Sequence, residues 1–280
     1  MTPFDLTGKT AFVTGASRGI GQAIAVALAQ AGADVAVVAR SEEGLAGTAK
    51  QIADCGREAH VIPADVTRQE AVGTAVAAAI DRLGHIDIVV NNAGGSNFAV
   101  PFLDLRLPGW DKILRLNLDS AVYVCHAIGG HLAGRGTGSV INVASVAGLT
   151  GSPFLSPYGA AKAGLISLTK TLAVEWAAHG VRVNALCPGW TATDLNRNLW
   201  EDDAAGKATV ATVPMGRWGR AEEMTGPAVF LASDASSSHR LRLSSVAVQP
   251  GHRALTRTPR AAHSTASVLV SEIRAALAAP

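Results

Sequence analysis

The stretch TGASRGIG at positions 14–21 joins a short apolar run to a segment with helical spacing. The run that leads into it, TAFVTG, is typical of a buried strand, and the segment GIGQAIAVALAQAG at 19–32 repeats apolar residues three and four apart. Glycines at such a junction let the backbone turn tightly, while the start of the helix offers free N–H groups and a positive dipole. The stretch therefore predicts a strand–turn–helix unit whose turn can bind the pyrophosphate of a dinucleotide.

The same alternation of strand-like and helix-like segments continues along the chain. Further strands are predicted in DVAVVA, EAHVIPAD, IDIVVNNAG, GSVINVAS and VRVNALCPG. Helices are predicted at 42–56, 68–84, about 110–133, 157–179 and 221–232, with an irregular helical stretch at 191–213. Since the strand-like runs are continuously apolar, both faces of their sheet are expected to be buried. The predicted fold class is α/β: one domain with a doubly wound parallel sheet and helices on both faces.

Composition narrows the classes of function. The chain has 280 residues, of which 48% are hydrophobic and 5% aromatic, enough for one large core. No apolar run reaches the roughly 18 residues of a membrane span, and no secretory signal is visible. The isolated Cys55, Cys125 and Cys187 favour a reduced, cytoplasmic protein without a metal site. Residues 1–238 carry 18 Lys and Arg against 21 Asp and Glu, so a nucleic-acid partner is not expected.

The end of the second predicted strand indicates which dinucleotide would bind. An NAD site usually places a carboxylate about 20 residues after the glycines, to hold the ribose 2′-hydroxyl. Here the sequence reads VVARS, with Arg40 and no acid. Arg40, helped by Arg18 in the glycine-rich turn, would suit the 2′-phosphate of NADP(H). The alternative is that Arg40 is only a solvated loop residue.

Beyond the glycine-rich turn, several motifs in order and in register resemble the short-chain dehydrogenase/reductase family, over about residues 7–235. They are the pair Asp65-Val66, NNAG at 91–94, Asn117 in ILRLNLDS, Ser145 in NVASVAG, Tyr158 and Lys162 in SPYGAAKAG, and PGWTATD at 188–194. This resemblance implies a Rossmann-type catalytic domain, expected over residues 1–250. It also implies an oxidoreductase that moves a hydride between NADP(H) and a ketone or secondary alcohol.

The resemblance also implies a role for each matching residue. The catalytic set would be Asn117, Ser145, Tyr158 and Lys162, with Ser145 on the substrate oxygen and Asn117 holding a water that links Lys162 to solvent. The cofactor would contact Tyr158 and Lys162 and a further set: Gly15, Ser17, Arg18, Gly19, Ile20, Gly21, Arg40, Asp65, Val66, Asn92, Ala93, Gly94, Pro188, Gly189, Thr191 and Thr193.

The spacing of Tyr158 and Lys162 has a physical explanation. Residues four apart lie on one face of a helix, so both side chains can point into one pocket. A tyrosine can supply the proton that accompanies hydride transfer, but its ordinary pKa of about 10 is high for that task. A neighbouring ammonium stabilises the phenolate. The sequence therefore predicts that Lys162 lowers the pKa of Tyr158.

The substrate is the least determined feature. The expected pocket walls are apolar, with Asn196 and Arg197 as polar groups; the apolar residues are Phe98, Phe154, Leu155, Trp190, Leu195, Leu199 and Trp200. By resemblance to 3-oxoacyl-carrier-protein reductases, the first interpretation is reduction of an oxoacyl or polyketide-like carbonyl, on a small molecule or a carrier. A sugar, polyol or cyclic-alcohol dehydrogenase is the alternative. A non-catalytic nucleotide-binding relative is the third, which the intact catalytic set disfavours.

The composition changes abruptly near Ser238. Residues 239–280 hold six Arg and one acid, and 251–280 are predicted to be an atypical tail. One explanation is a shift of reading frame near Ser238, and the other is a genuine extension. SSVAVQPG at 244–251 could still supply a last strand. The family resemblance implies a homo-oligomer, a tetramer or a dimer, which a foreign tail would weaken.

Overall fold

The computed structural model describes residues 3–237 and 245–248. Its strands are β1 (Thr10–Thr14), β2 (Asp34–Ala39), β3 (Ala59–Pro63), β4 (Ile88–Asn91), β5 (Gly138–Val143), β6 (Val181–Pro188) and β7 (Ser245–Val248). They form one parallel sheet in the order β3-β2-β1-β4-β5-β6-β7. Every residue of β1, β4 and β5 is buried, which confirms the prediction of a sheet covered on both faces.

Helices cover both faces of this sheet. They are α1 (Gly19–Gln30), α2 (Glu42–Asp54), α3 (Gln69–Leu83), α4 (Leu107–Leu114), α5 (Ser120–Arg135), α6 (Ser156–Glu175), α7 (Arg197–Trp200), α8 (Asp203–Ala211) and α9 (Thr225–Ala232). Successive strand residues face opposite layers: Val13 packs in the core that includes α1, α2 and α9, whereas Phe12 packs in the core of α3 and α5. The doubly wound α/β fold is therefore confirmed.

The order of the strands creates a site at one edge of the sheet. Strands β2 and β3 lie on one side of β1, and β4 to β7 lie on the other. Ligands bind parallel sheets at such a reversal, outside the carboxyl ends of the strands. The glycine-rich turn follows β1, and Ser145 is the second residue after β5, so this edge brings the predicted residues together.

The helix predicted at about 110–133 is interrupted. A π-helical turn over Arg115–Asp119 separates α4 from α5. The side-chain amide of Asn117 donates to the Ile113 carbonyl at 2.9 Å, and the Ser120 hydroxyl donates to the Leu116 carbonyl at 2.6 Å. These side chains compete for the carbonyl four residues back, which bends a helix locally. The turn is a consequence of placing Asn117 in the site.

The structure tests the prediction of a last strand but not the prediction of an atypical tail. β7 lies in SSVAVQPG and pairs in parallel with β6, as predicted for the last strand. Residues 251–280, like the proposed frame shift near Ser238, lie outside the described residues. In the described part of the chain, no helix is long and apolar enough to cross a membrane.

A chain of buried amide and hydroxyl groups fixes α6 on the sheet. The Asn91 Nδ2 atom donates to Asn142 Oδ1 at 2.9 Å, and Asn142 Nδ2 donates to Thr169 Oγ1 at 2.8 Å. The Thr169 hydroxyl then donates to the Leu165 carbonyl at 2.7 Å. Since Asn142 and Thr169 are fully buried, breaking one of these bonds leaves a polar group without water or a partner. The position of α6 along β5 is therefore strongly specified.

We expect Thr169→Val to destabilise the protein by about 1–3 kcal/mol, the usual cost of an unsatisfied buried polar group. The substitution keeps the shape of the side chain but removes the acceptor for Asn142 Nδ2. The free energy of unfolding in urea measures the effect. The matched control is Thr171→Val, which removes an exposed hydroxyl on the same helix and should change stability far less. Equal effects of the two substitutions would contradict this account.

Candidate active site

The glycine-rich turn after β1 leaves the start of α1 open to an anion. Gly15 and Gly19 have φ angles of 63° and 57°, which glycine adopts without strain. No side chain caps the N-terminus of α1, and its first turn contains no acid. Free N–H groups and the helix dipole therefore face the space beside the turn. This arrangement fits the pyrophosphate of a dinucleotide.

Asn92 fastens the same turn to the end of β4. Its Nδ2 atom donates to the carbonyls of Thr14 and Gly15, both at 3.1 Å. The Thr14 hydroxyl in turn accepts from the backbone N–H groups of Asn92 and Ala93, at 3.0 and 3.1 Å. A Cβ atom at Gly21 would overlap both the Gly15 carbonyl and the Asn92 amide. The turn, the helix start and the NNAG segment are thus one packed unit.

The residues predicted to select the cofactor lie at the ends of β2 and β3. Arg40 follows β2 and is exposed, as is Arg18 at the start of α1. Burial raises the pKa of the Asp65 carboxyl, but hydrogen bonds from Thr67 and the charges of Arg40 and Arg68 outweigh it and lower that pKa. Arg40 therefore lies near Asp65. Ser17 packs near Gly44 of α2, and Val66 is buried. These members of the predicted cofactor-binding set thus lie at the end of the sheet edge formed by β2 and β3.

Ser145, Tyr158 and Lys162 form a cluster at the junction of β5 and α6. The Lys162 side chain is only 3% exposed, and its Nζ atom donates to the Val143 carbonyl at 2.8 Å. The same atom lies 5.7 Å from the centre of the Tyr158 ring. The Ser145 hydroxyl accepts from the Ala147 N–H at 3.1 Å and lies near the Tyr158 hydroxyl. The three residues predicted from their motifs are therefore brought together.

The ionisation of Tyr158 differs from the prediction. Burial raises the pKa of the phenol above its ordinary value, and the hydrogen bond from Ser145 lowers it by less. Burial also lowers the pKa of Lys162 to about 8. The direction is thus opposite to the predicted lowering of the Tyr158 pKa by Lys162. The reason is desolvation, which disfavours the charged form of both groups.

Asn117 is buried on the π-helical turn and faces the NNAG segment. Its Oδ1 atom accepts from the Gly95 N–H at 2.7 Å, and its Nδ2 atom donates to the Gly95 carbonyl at 2.9 Å. A Cβ atom at Gly94 would lie 2.7 Å from Asn117 Oδ1 and 3.0 Å from Lys162 Nζ. Asn117 therefore lies beside Lys162, as the motifs predict. Its amide is already engaged with the backbone, so the structure gives it a positioning task that the sequence did not suggest.

The segment after β6 folds back over the site. Thr191 is buried, and the Thr193 Cγ2 atom lies 3.4 Å from the position of a Cβ at Gly19. Asn196 holds this segment together: its Oδ1 atom accepts from Thr193, and its Nδ2 atom donates to the Thr191 carbonyl at 2.9 Å. The Trp200 Nε1 atom donates to the Thr193 carbonyl at 2.9 Å. The segment that holds Pro188, Gly189, Thr191 and Thr193 thus contacts the start of α1 through Thr193, and its contact with the cofactor stays a prediction.

Two predicted polar wall residues have other partners. The polar atoms of Asn196 are used within its own segment, and Arg197 is ion-paired with Asp194 and lies 3.9 Å from Glu201. The expectation that they offer polar groups to a substrate is therefore wrong for Asn196, and Arg197 is already neutralised. Both pairings are local in sequence, but their geometry depends on the turn after β6.

Apolar side chains surround the mouth of the site. The Val100 N–H donates to the Phe154 carbonyl at 2.9 Å, which joins the segment after β4 to the segment before α6. Phe154 is 58% exposed and has a φ of 67°, an unusual conformation for a bulky residue. Leu195 is 49% exposed and covers Gly95. Trp190 instead packs edge-on against Trp218, and the remaining wall candidates, Phe98, Leu155, Leu199 and Trp200, are half-buried.

Sequence reasoning missed two residues that shape the cluster. A Cβ atom at Gly148 would lie 2.6 Å from the backbone carbon of Lys162, so glycine lets the segment after Ser145 pack directly on α6. Cys187 is fully buried, and burial raises its pKa to about 11, while the neighbouring Lys162 charge and Ser145 N–H lower it by less. Glycine in NVASVAG was a visible signal for the first contact. No signal in the sequence indicated the second, because β5 and β6 are far apart in the chain.

The chain is similar to known proteins over most of its length. Residues 15–240 match the protein family described as enoyl-(acyl carrier protein) reductase. Over 234 residues the chain is 39% identical to gluconate 5-dehydrogenase of Gluconobacter oxydans (strain 621H), covering 84% of this chain and 91% of that protein. Over 235 residues it is 37% identical to 3-oxoacyl-[acyl-carrier-protein] reductase of Synechocystis sp. (strain PCC 6803), covering 84% and 93%.

A solved structure agrees with the fold. It is the crystal structure of a gluconate 5-dehydrogenase from Burkholderia cenocepacia J2315 in complex with NADP and tartrate. It matches with a TM-score of 0.83 at 37% sequence identity, covering 89% of this chain and 96% of that chain. At this identity the likeness extends beyond the fold to the sequence itself.

Proposed function

Since this chain belongs to the short-chain dehydrogenase/reductase family, we propose that it is an NADP-dependent dehydrogenase of a polyol or sugar acid. The chain is an oxidoreductase that acts on CH–OH and C=O groups, as predicted. The observation that carries the proposal is the cluster of Ser145, Tyr158, Lys162 and Asn117 beside an anion-binding helix start. Such a site can position a hydroxyl or carbonyl group next to a dinucleotide.

The cofactor prediction, NADP(H), agrees with the related structure, which holds NADP. In this chain the N-terminus of α1 and the turn at 14–21 would hold the pyrophosphate, and Arg40 would hold the 2′-phosphate. Asp65 and Val66 would border the adenine, and the segment 188–193 would border the nicotinamide. When bound, the cofactor supplies or accepts the hydride.

The residues of the cluster handle the proton. The phenol of Tyr158, whose pKa burial raises above its ordinary value, can donate a proton to the substrate oxygen as a carbonyl is reduced. Ser145, hydrogen-bonded to Tyr158, orients the same substrate oxygen. The ammonium of Lys162, aimed at the Val143 carbonyl, is close enough to stabilise the phenolate that remains. In the reverse direction the phenolate removes the proton of the alcohol.

The relatives favour the polyol and sugar-acid interpretation over the oxoacyl one. Gluconate 5-dehydrogenase from two organisms is similar to this chain in sequence, and in one case also in structure. Reduction of a 3-oxoacyl group, the first interpretation of the sequence, remains the second candidate. It is supported by the Synechocystis relative and by the exposed apolar side chains of Phe154 and Leu195.

Three further predictions stay predictions. They are a homo-oligomeric assembly, a cytoplasmic location and a catalytic domain that ends near residue 250. The family match ends at residue 240, close to the change in composition. This supports the proposal that 251–280 is foreign to the family fold, and resequencing the gene and weighing the intact protein test it.

A substrate panel tests the proposed function. We expect NADP⁺ to be reduced with at least one of D-gluconate, sorbitol, xylitol and D-threitol, and kcat/KM to exceed that for acetoacetyl thioester reduction with NADPH. The absorbance of the reduced nicotinamide measures both directions. Turnover of the thioester alone would favour the second candidate. Binding of NADPH without turnover of any carbonyl or alcohol would favour a non-catalytic relative.

Tyr158→Phe should lower kcat by at least about 10²-fold, because it keeps the ring and removes the proton donor. Binding of NADPH should stay within a few-fold, as nucleotide fluorescence would show. Tyr123→Phe, a half-buried tyrosine on α5, is the control and should leave kcat nearly unchanged. Near wild-type turnover by Tyr158→Phe would refute the assignment.

Arg40→Ala should weaken NADPH binding by about 10-fold or more while NADH binding stays nearly the same. A hydrogen bond to a charged group contributes about 1.5–3 kcal/mol, and NADH lacks the 2′-phosphate that Arg40 would hold. Titration calorimetry with both nucleotides measures the difference. Arg40→Lys should retain part of the preference. A wild-type enzyme that prefers NADH would show that the interpretation of VVARS is wrong.

A further inference from the structure

Leu195 is seated directly on the backbone of Gly95. Leu195 lies in the short helical turn Asp194–Asn196, and Gly95 follows the NNAG motif about a hundred residues earlier. Gly95 has a φ of 134°, and a Cβ atom there would overlap the Leu195 Cδ2 atom. The backbone conformation at position 95 therefore favours glycine, and a side chain there would have to displace the end of the Leu195 side chain. The contact is made by the segment 191–200, which also covers the cofactor side of the site.

Gly95 is the residue that Asn117 holds. Its N–H and its carbonyl are both bonded to the Asn117 amide, at 2.7 and 2.9 Å. Asn117 Oδ1 and Lys162 Nζ both approach the position of a Cβ at Gly94. A movement of the backbone at Gly95 would therefore move the amide of Asn117 or break its hydrogen bonds. Leu195 can therefore act on the Asn117 amide through the backbone of Gly95.

The other end of the same segment contacts the cofactor turn. Thr193 lies against Gly19, and its backbone is held by Asn196 and Trp200. Only one residue separates Thr193 from Leu195, and the short helical turn between them is closed by hydrogen bonds between Thr193 and Asn196. The segment thus contacts the start of α1 through Thr193 and the Asn117 amide through Leu195 and Gly95.

We propose that Leu195 is a positioning residue that couples the seating of the segment 191–200 to the placement of Asn117 beside Lys162. The proposal rests on the proposed function, because it assigns Leu195 a role in that reaction. Leu195 does not touch the reacting atoms in this account; it acts through Gly95. The simpler alternative is that Leu195, half of which is exposed, only forms part of the substrate wall.

Two measurements on Leu195→Ala separate these roles. A positioning role predicts that kcat falls by about 10-fold, since small displacements of reacting groups have large effects on rate. A wall residue would change KM and leave kcat unchanged, which would overturn the proposal. Leu195→Met should restore most of kcat, because its side chain can again cover Gly95. The control is Met215→Ala. Met215 is similarly exposed, at 52%, and its truncation should change kcat by no more than about two-fold relative to the wild type.

Amide hydrogen exchange tests the contact without any substrate. In the wild type, the Gly95 N–H is bonded to Asn117 and covered by Leu195. Leu195→Ala should speed exchange in the peptide that contains Gly95, while exchange in β5 and in α3 stays unchanged. Uniformly faster exchange, or a large loss of melting temperature, would indicate general destabilisation and would count against the coupling. Unchanged exchange at Gly95 would also overturn it.

A double-mutant cycle with Gly95→Ala gives the sharpest test. The added methyl group must displace Leu195, so Gly95→Ala alone should lower kcat by at least as much as Leu195→Ala. With Leu195 truncated, the methyl group has room, so only the strain of a non-glycine residue at a φ of 134° remains and the second substitution should have a clearly smaller effect. Losses that simply multiply would refute the coupling. If the wild type fails the substrate panel, the proposed function fails, whereas an active wild type with multiplicative losses removes only the role of Leu195.

Discussion

The hydrogen bond from the Lys162 ammonium to the Val143 carbonyl holds a charge that is almost fully buried. Taking an ammonium out of water is expensive, and a single carbonyl offsets only part of that cost. The bond can exist only if α6 lies in one register along β5. That register is set deeper in the core, by the bonds from Asn142 to Thr169 and from Thr169 to Leu165. The reactive end of α6 is thus held by polar contacts below it and by the close approach of Gly148 beside it.

Much of this arrangement could be predicted from local pattern. Continuous apolar runs such as TAFVT and GSVINV indicated strands buried on both faces. The helical segments between them indicated the crossover connections that join parallel strands. Since the carboxyl ends of parallel strands share one edge, residues that follow β1, β4, β5 and β6 had to meet. The spacing of four between Tyr158 and Lys162 placed both on one side of α6. These inferences need only chain order and residue spacing.

The remainder depends on contacts between segments that are distant in sequence. The π-helical turn at Asn117 arises because its amide reaches Gly95 and Ile113, and helical periodicity does not reveal such partners. The direction of the Tyr158 pKa required knowledge of burial, which here outweighs the neighbouring groups. Asn196 looked available to a substrate because its bonds to Thr191 and Thr193 depend on how the chain turns after β6. The spacing of residues in the sequence predicted where these side chains lie. Their burial and hydrogen bonds in the folded chain determine how each one ionises and whether it can bind a ligand.

The packing around Gly21 has a consequence for how such sequences evolve. A side chain at this position would collide with the Gly15 carbonyl and the Asn92 amide before any nucleotide arrived. Selection for a stable chain alone would therefore preserve the glycine. A descendant that had lost its enzymatic activity would still carry the glycine-rich turn for as long as it folded. Retention of Gly15 and Gly21 among descendants is thus a record of inherited architecture, whereas the exposed Arg18 and Arg40 would be free to change once the cofactor was no longer needed.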